Sequence, residues 1–158
     1  MVKLNIVSPA HGTVAEICLK YSNKPNALLE ILHDVQHELG YVPEASLPTI
    51  ANALNLSRAE VYGVVTFYHD YHLKPQGKHV IKICRSEACQ STGGSEVISM
   101  LEKLLKIKLG ETTADKHVTL EGVYCLGLCP MGPAALIDGK ARAALKPDTV
   151  DALVKELV

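Results

Sequence analysis

Four of the chain's five cysteines fall in two pairs. Cys84 and Cys89 sit in ICRSEACQSTGG with C-x4-C spacing, and Cys125 and Cys129 sit in VYCLGLCPMGP with C-x3-C spacing. Thiolates are costly to bury unless a positive centre shares their charge, so four of them converging in a core call for metal. A two-iron, two-sulfide cluster takes four cysteine ligands, and so does a structural zinc ion. Both spacings lie within the range zinc uses. Zinc knuckles are mostly C-x2-C, however, and CLGLCPMGP is more apolar than structural zinc requires. A thiol-disulfide enzyme would want C-x2-C at a helix start, which is missing. Spacing alone therefore favours iron–sulfur and leaves zinc open. The fifth cysteine, Cys18, has no paired neighbour and reads as a small buried hydrophobe.

Each cysteine pair springs from an apolar, strand-like run. HVIKIC (79–84) predicts a strand that ends on Cys84, and HVTLEGVYC (117–125) predicts a half-buried strand that ends on Cys125. Neighbouring strand ends would deliver two sulfurs to one place, with Cys89 and Cys129 on the loops that follow. An all-cysteine cluster carries excess negative charge, so it wants amide N–H donors and no competing carboxylates. Gly93 and Gly94 would let the backbone approach, a helix beginning there would aim its positive end at the loop, and Gly127 and Gly132 would serve the second loop. Glu87 must then face outward. The helix after Cys89 turns Val97, Ile98, Leu101, Leu104 and Leu105 inward. AALIDGKARAAL carries Asp138-Gly139 between two apolar arms, a strong hairpin signal. PDTVDALVKELV starts with good first-turn residues and predicts a terminal helix. The order β-α-β-β-β-α fits a small α/β layer fold of thioredoxin-like kind over residues 77–158.

Upstream, residues 1–23 are weakly patterned and read as an N-terminal extension. Residues 24–76 read as a compact three-helix domain. PNALLEILHDVQHELG places Leu28, Leu29, Ile31, Leu32, Val35 and Leu39 at helical spacing, with Gly40 as the stop. LPTIANALN forms a second helix around Leu47, Ile50, Ala51 and Leu54. Ser57 and Glu60 make a capping box that opens a third. LKPQGK (73–78) serves as the linker. His33 and His37 are spaced as zinc ligands can be, but the polar face they occupy and the absence of further ligands nearby point to solvated side chains, as for His69 and His72. A helix-turn-helix would need a recognition helix rich in Arg, Lys, Asn or Gln; Arg58 followed by Ala, Val, Tyr, Val and Val reads as a buried packing helix instead.

The chain has 158 residues, 47% of them hydrophobic and 21% charged, with a formal net charge of −1. That balance predicts a globular protein with no field to recruit nucleic acid or an anionic membrane. No secretory signal is expected in the first twenty or so residues, and no stretch approaches the roughly eighteen apolar residues of a membrane span. The expected residence is cytoplasmic, where cysteines stay reduced, and no direct membrane contact is expected. There is no G-x-G-x-x-G and no P-loop, hence no evident nucleotide site in the chain itself.

CRSEACQ, the Gly93-Gly94 pair and the closing Y-C-L-G-L-C together resemble the thioredoxin-like [2Fe–2S] subunit family of NADH-linked oxidoreductases. That family includes a small subunit of respiratory NADH dehydrogenase, the diaphorase small subunit of bidirectional hydrogenase and the gamma subunit of NAD-dependent formate dehydrogenase. ALLEILHDVQHELGYVPEASLPTIANALNLSRAEVYGVVTFY also looks like the family's helical N-terminal domain. The Glu-Ala before the second cysteine and the Gln after it look most like the formate dehydrogenase branch. The resemblance implies a helical domain followed by a thioredoxin-like domain. It also implies one [2Fe–2S] cluster on Cys84, Cys89, Cys125 and Cys129, and no catalytic residue in this chain. The implied partner is a subunit that binds FMN, NAD(H) and a further iron–sulfur cluster and exchanges single electrons with this one.

Overall fold

The weakly patterned start of the chain folds as a helix, α1 (Pro9–Lys20), in a computed structural model that describes residues 9–157. This corrects the expectation of an extension before a three-helix domain. Val14, Ile17 and Cys18 are buried at helical spacing in one apolar cluster with the next three helices. The period is short, and Leu19 is 64% exposed on the opposite side, so the pattern is faint in the sequence. The chain divides into two units, one ending at Pro75 and one beginning at Gln76.

In the first unit, α2 (Leu28–Leu39) buries Leu28, Ile31, Leu32 and Val35 and stops at Gly40, which takes the left-handed conformation expected of a C-terminal glycine. Next, α3 (Leu47–Leu54) turns Leu47, Ile50, Ala51 and Leu54 into the same core. The capping box is formed at the start of α4 (Arg58–Phe67): the Ser57 side chain accepts from the Glu60 amide and the Glu60 carboxylate accepts from the Ser57 amide. Against expectation, α4 is not buried all round. Only Val61 and Val65 are buried along it, while Tyr62, Phe67 and the following Tyr68 are exposed. The chain after α4 is tied back onto α2 by Gln36, whose amide group donates to the Asp70 carbonyl and accepts from the His72 amide.

The second unit contains β1 (His79–Cys84), a short α5 (Glu87–Ser91), α6 (Gly94–Leu105), β2 (Glu111–Thr112), β3 (Val118–Val123), β4 (Ala135–Ile137), β5 (Lys140–Arg142) and α7 (Pro147–Leu157). Its sheet runs β2-β3-β1-β4-β5. The central pair, β1 and β3, is parallel, with Cys84 opposite Val123, and the outer strands pair antiparallel. A parallel pair needs a crossover, and α5 with α6 provides it. Ile81, Ile83, Val97, Leu101, Leu120 and Val150 form one core that joins the sheet to α6 and α7. Two details depart from the sequence reading. The two-residue β2 left no readable pattern, and β3 opens with Val118, Thr119 and Leu120 all buried rather than alternating, because it lies inside the sheet. The expected hairpin is present, with Asp138 and Gly139 both at positive φ between β4 and β5.

Candidate metal centre

The parallel register of β1 and β3 brings the two cysteine loops side by side. Cys84 is the last residue of β1, and Cys125 lies two residues past β3, after its partner Val123. The loops are joined by backbone bonds: the Arg85 amide donates to the Val123 carbonyl (2.7 Å) and the Cys84 amide to the Ala134 carbonyl (2.9 Å). Cys89 is not on an irregular loop as expected; it is carried by α5, where Glu87 is exposed as required. Cys125 sits in the left-handed region (φ 58°), which turns the chain into Leu126-Gly127-Leu128 and back toward Cys129.

The sulfurs form an inner and an outer pair. Cys84 and Cys89 are each 2% exposed and pack with Ala134, Leu126 and Leu128, whereas Cys125 and Cys129 are exposed with their sulfurs 3.9 Å apart. Among the described residues, no group of three or more His, Cys, Asp or Glu gathers tightly enough to hold a single metal ion. His33 and His37 are both exposed on α2.

Electrostatics distinguish the members of each pair. Burial pushes the Cys84 thiol up, yet backbone N–H groups of Ser86, Leu126 and Cys125 and the Cys89 side chain act against it, and the net result is a value lowered to about 7. Two of those amides belong to the opposite loop, so both loops converge on the Cys84 sulfur. Cys89 is raised, first by burial and then by the neighbouring Cys84, with the Ala134 amide acting the other way. Cys129 is raised chiefly by Cys125. Amide donors were expected from the sequence at the glycines, but the ones that act on these sulfurs belong to Ser86, Cys125, Leu126 and Ala134. They are main-chain groups, and no residue type marks them.

Two glycines make the close packing possible. A Cβ on Gly94 would lie 2.6 Å from the Cys89 carbonyl oxygen, and one on Gly132 would lie 3.3 Å from the Cys89 sulfur and 3.0 Å from the Thr92 hydroxyl. Gly94 thus lets α6 start against α5, and Gly132 lets the second loop lie on the first. Gly127 serves differently: its surroundings are open and its φ of 74° is what the turn requires.

Two sulfur pairs, amides aimed inward and Glu87 turned out to solvent suit an anionic two-iron centre, which takes two sulfurs at each iron. The thioredoxin-like [2Fe–2S] ferredoxin model matches residues 14–158. The chain belongs to that family. Its cofactor is accordingly a [2Fe–2S] cluster. An NADH-quinone oxidoreductase component from Pseudomonas aeruginosa is 38% identical over 87% of this chain and 83% of its own length. A component of the NADP-reducing hydrogenase of Solidesulfovibrio fructosivorans, HndA, is 28% identical over 94% and 86%. A crystal structure of an NAD+-reducing [NiFe]-hydrogenase superposes with a TM-score of 0.71 at 26% identity over 83% of this chain, which spans 22% of that hydrogenase chain. In this family member the helical unit precedes the ferredoxin unit along the chain. No helix among its described residues is long and apolar enough to cross a membrane.

Proposed function

We propose that this chain is the electron-transfer subunit of an NAD(H)-linked oxidoreductase complex, holding its [2Fe–2S] cluster through Cys84, Cys89, Cys125 and Cys129. What supports the ligand set is the convergence of both loops on Cys84: amides of Ser86, Cys125 and Leu126 aim at its sulfur, and an exposed sulfur pair lies on the second loop. When bound, the cluster supplies a one-electron couple. The chain's own part is to ligate, to direct N–H groups at the sulfurs and to keep carboxylates away. Relatives named for NADH-quinone and NADP-linked reactions support a place in a complex whose partner subunit binds FMN and NAD(H). No activity is expected of this chain alone.

Within that class the proposed complex is a soluble NAD-dependent formate dehydrogenase, on the strength of CRSEACQ. The equivalent subunits of quinone- or hydrogen-linked complexes are the competing assignments. Residues 24–76 are proposed to dock the flavin-bearing partner, and the exposed Tyr62, Phe67 and Tyr68 supply aromatic surface of the sort enriched at interfaces.

Metal and acid-labile sulfide analysis after anaerobic purification tests the cluster: about two irons and two sulfides per chain are expected. A colourless, zinc-loaded preparation with no paramagnetic signal after reduction would overturn it. Affinity capture from the source cell tests the complex, since a formate-oxidising molybdenum enzyme, a hydrogenase and a quinone reductase give different co-purifying subunits.

A further inference from the structure

Arg85 follows Cys84 and Tyr124 precedes Cys125, and the structure places them against each other. The Arg85 guanidinium carbon lies 5.9 Å from the Tyr124 ring centroid. Its stem runs over Gly122, on β3, where a Cβ would stand 2.5 Å from the Arg85 Cδ and would have Arg85 atoms as its nearest neighbours. The Arg85 backbone is pinned from both sides, its amide donating to the Val123 carbonyl and its carbonyl accepting from the Gln90 side chain (2.6 Å). A guanidinium keeps its charge at any ordinary pH and stacks on aromatic faces.

We propose that Arg85 and Tyr124, seated on Gly122, form a clasp across the two cysteine loops that holds a fixed positive charge beside the cluster and raises its reduction potential. This clasp rests on the cluster assignment above. Arg85 and Tyr124 are positioning and tuning residues; they ligate nothing. A positive charge nearby favours the state with the extra electron, so its removal makes reduction harder.

The test is a redox titration of the full-length, cluster-loaded protein followed by its paramagnetic signal. Arg85→Gln should lower the reduced-to-oxidised ratio at a fixed potential by about threefold, tenfold being about 59 mV for one electron. Gly122→Ala changes no charge, yet should shift the ratio in the same direction, because its methyl unseats the arginine. Tyr124→Leu should do likewise. Combining either with Arg85→Gln should add nothing. Iron content should stay at the wild-type level throughout, which a merely structural role would not predict. Additive shifts, an unshifted Gly122→Ala, or an unshifted Arg85→Gln would each overturn the clasp. A wild-type protein with no cluster signal would instead bring down the functional reading, and the clasp with it.

Discussion

At Cys84 two opposing effects meet on one sulfur. Burial disfavours the thiolate, while three backbone N–H groups and a neighbouring thiol favour it, and the favourable side prevails. Cys18 is the counterexample: it is fully buried in the helical unit, burial raises its pKa, and its own backbone amide acts the other way without prevailing. The two cysteines should therefore respond differently to the same substitution. Cys84→Ser is expected to lose most of the iron and the visible colour. Cys18→Ser should keep both and lose about 1–3 kcal/mol of stability from a hydroxyl placed in an apolar core. Iron analysis and urea unfolding of the two variants check this, and equal iron loss would mean the ligands are misassigned. At this scale residue type and spacing alone singled out the four sulfurs proposed as ligands. The amides that surround them were not singled out, since every residue but proline has one.

The elements matter through the places where they touch. Gly94 begins α6 directly against the Cys89 carbonyl, so Gly94→Ala must push α5 and α6 apart. The expected cost is about 1–3 kcal/mol with impaired cluster retention, measured by unfolding and iron content together. Ser57→Ala removes the hydroxyl half of the capping box on α4 and should cost about 1 kcal/mol in urea unfolding, with no change in iron. The β4–β5 hairpin is anchored by Asp138, whose carboxylate accepts from the Val80 amide (2.8 Å) and pairs with His79 (2.7 Å). Partial burial works to raise the Asp138 carboxyl, but His79 and the Val80 amide hold it below its ordinary value. A depressed folded value means that the stabilisation is complete above the ordinary carboxylate pKa and is lost as pH falls through the folded one. Asp138→Asn should thus flatten the loss of stability below about pH 4, seen as a shallower acid limb in urea midpoints. The hairpin itself was readable from Asp-Gly. Its tie to β1, 58 residues away, was not.

For the molecule as a whole, the division at Pro75 and Gln76 separates two apolar cores, one built from four helices and one from the sheet with α6 and α7. All four paired cysteines lie in the second unit. A fragment of residues 76–158 is therefore expected to fold and to keep its colour, while failing to assemble with the flavin-bearing partner that the full chain captures. Gel filtration of mixtures with that partner measures it. Undiminished assembly by the fragment would refute a docking role for the helices. The helical unit was legible in its three strongest periods, and α1 escaped because the apolar residues that carry it are few and closely spaced.

Local chemistry was determined by the sequence itself: thiolates in two spaced pairs, apolar periods of strand and helix, a capping box and a hairpin turn. These depend on neighbours along the chain, so they can be read along it. Tertiary structure decided which groups from distant segments face each other. The parallel register of β1 and β3 set the loops side by side, aimed amides of the second loop at a sulfur of the first, and laid Arg85 across Gly122 onto Tyr124. Such juxtapositions follow from packing the second unit's core at interior density, and packing depends on the whole set of side chains rather than on any stretch of them.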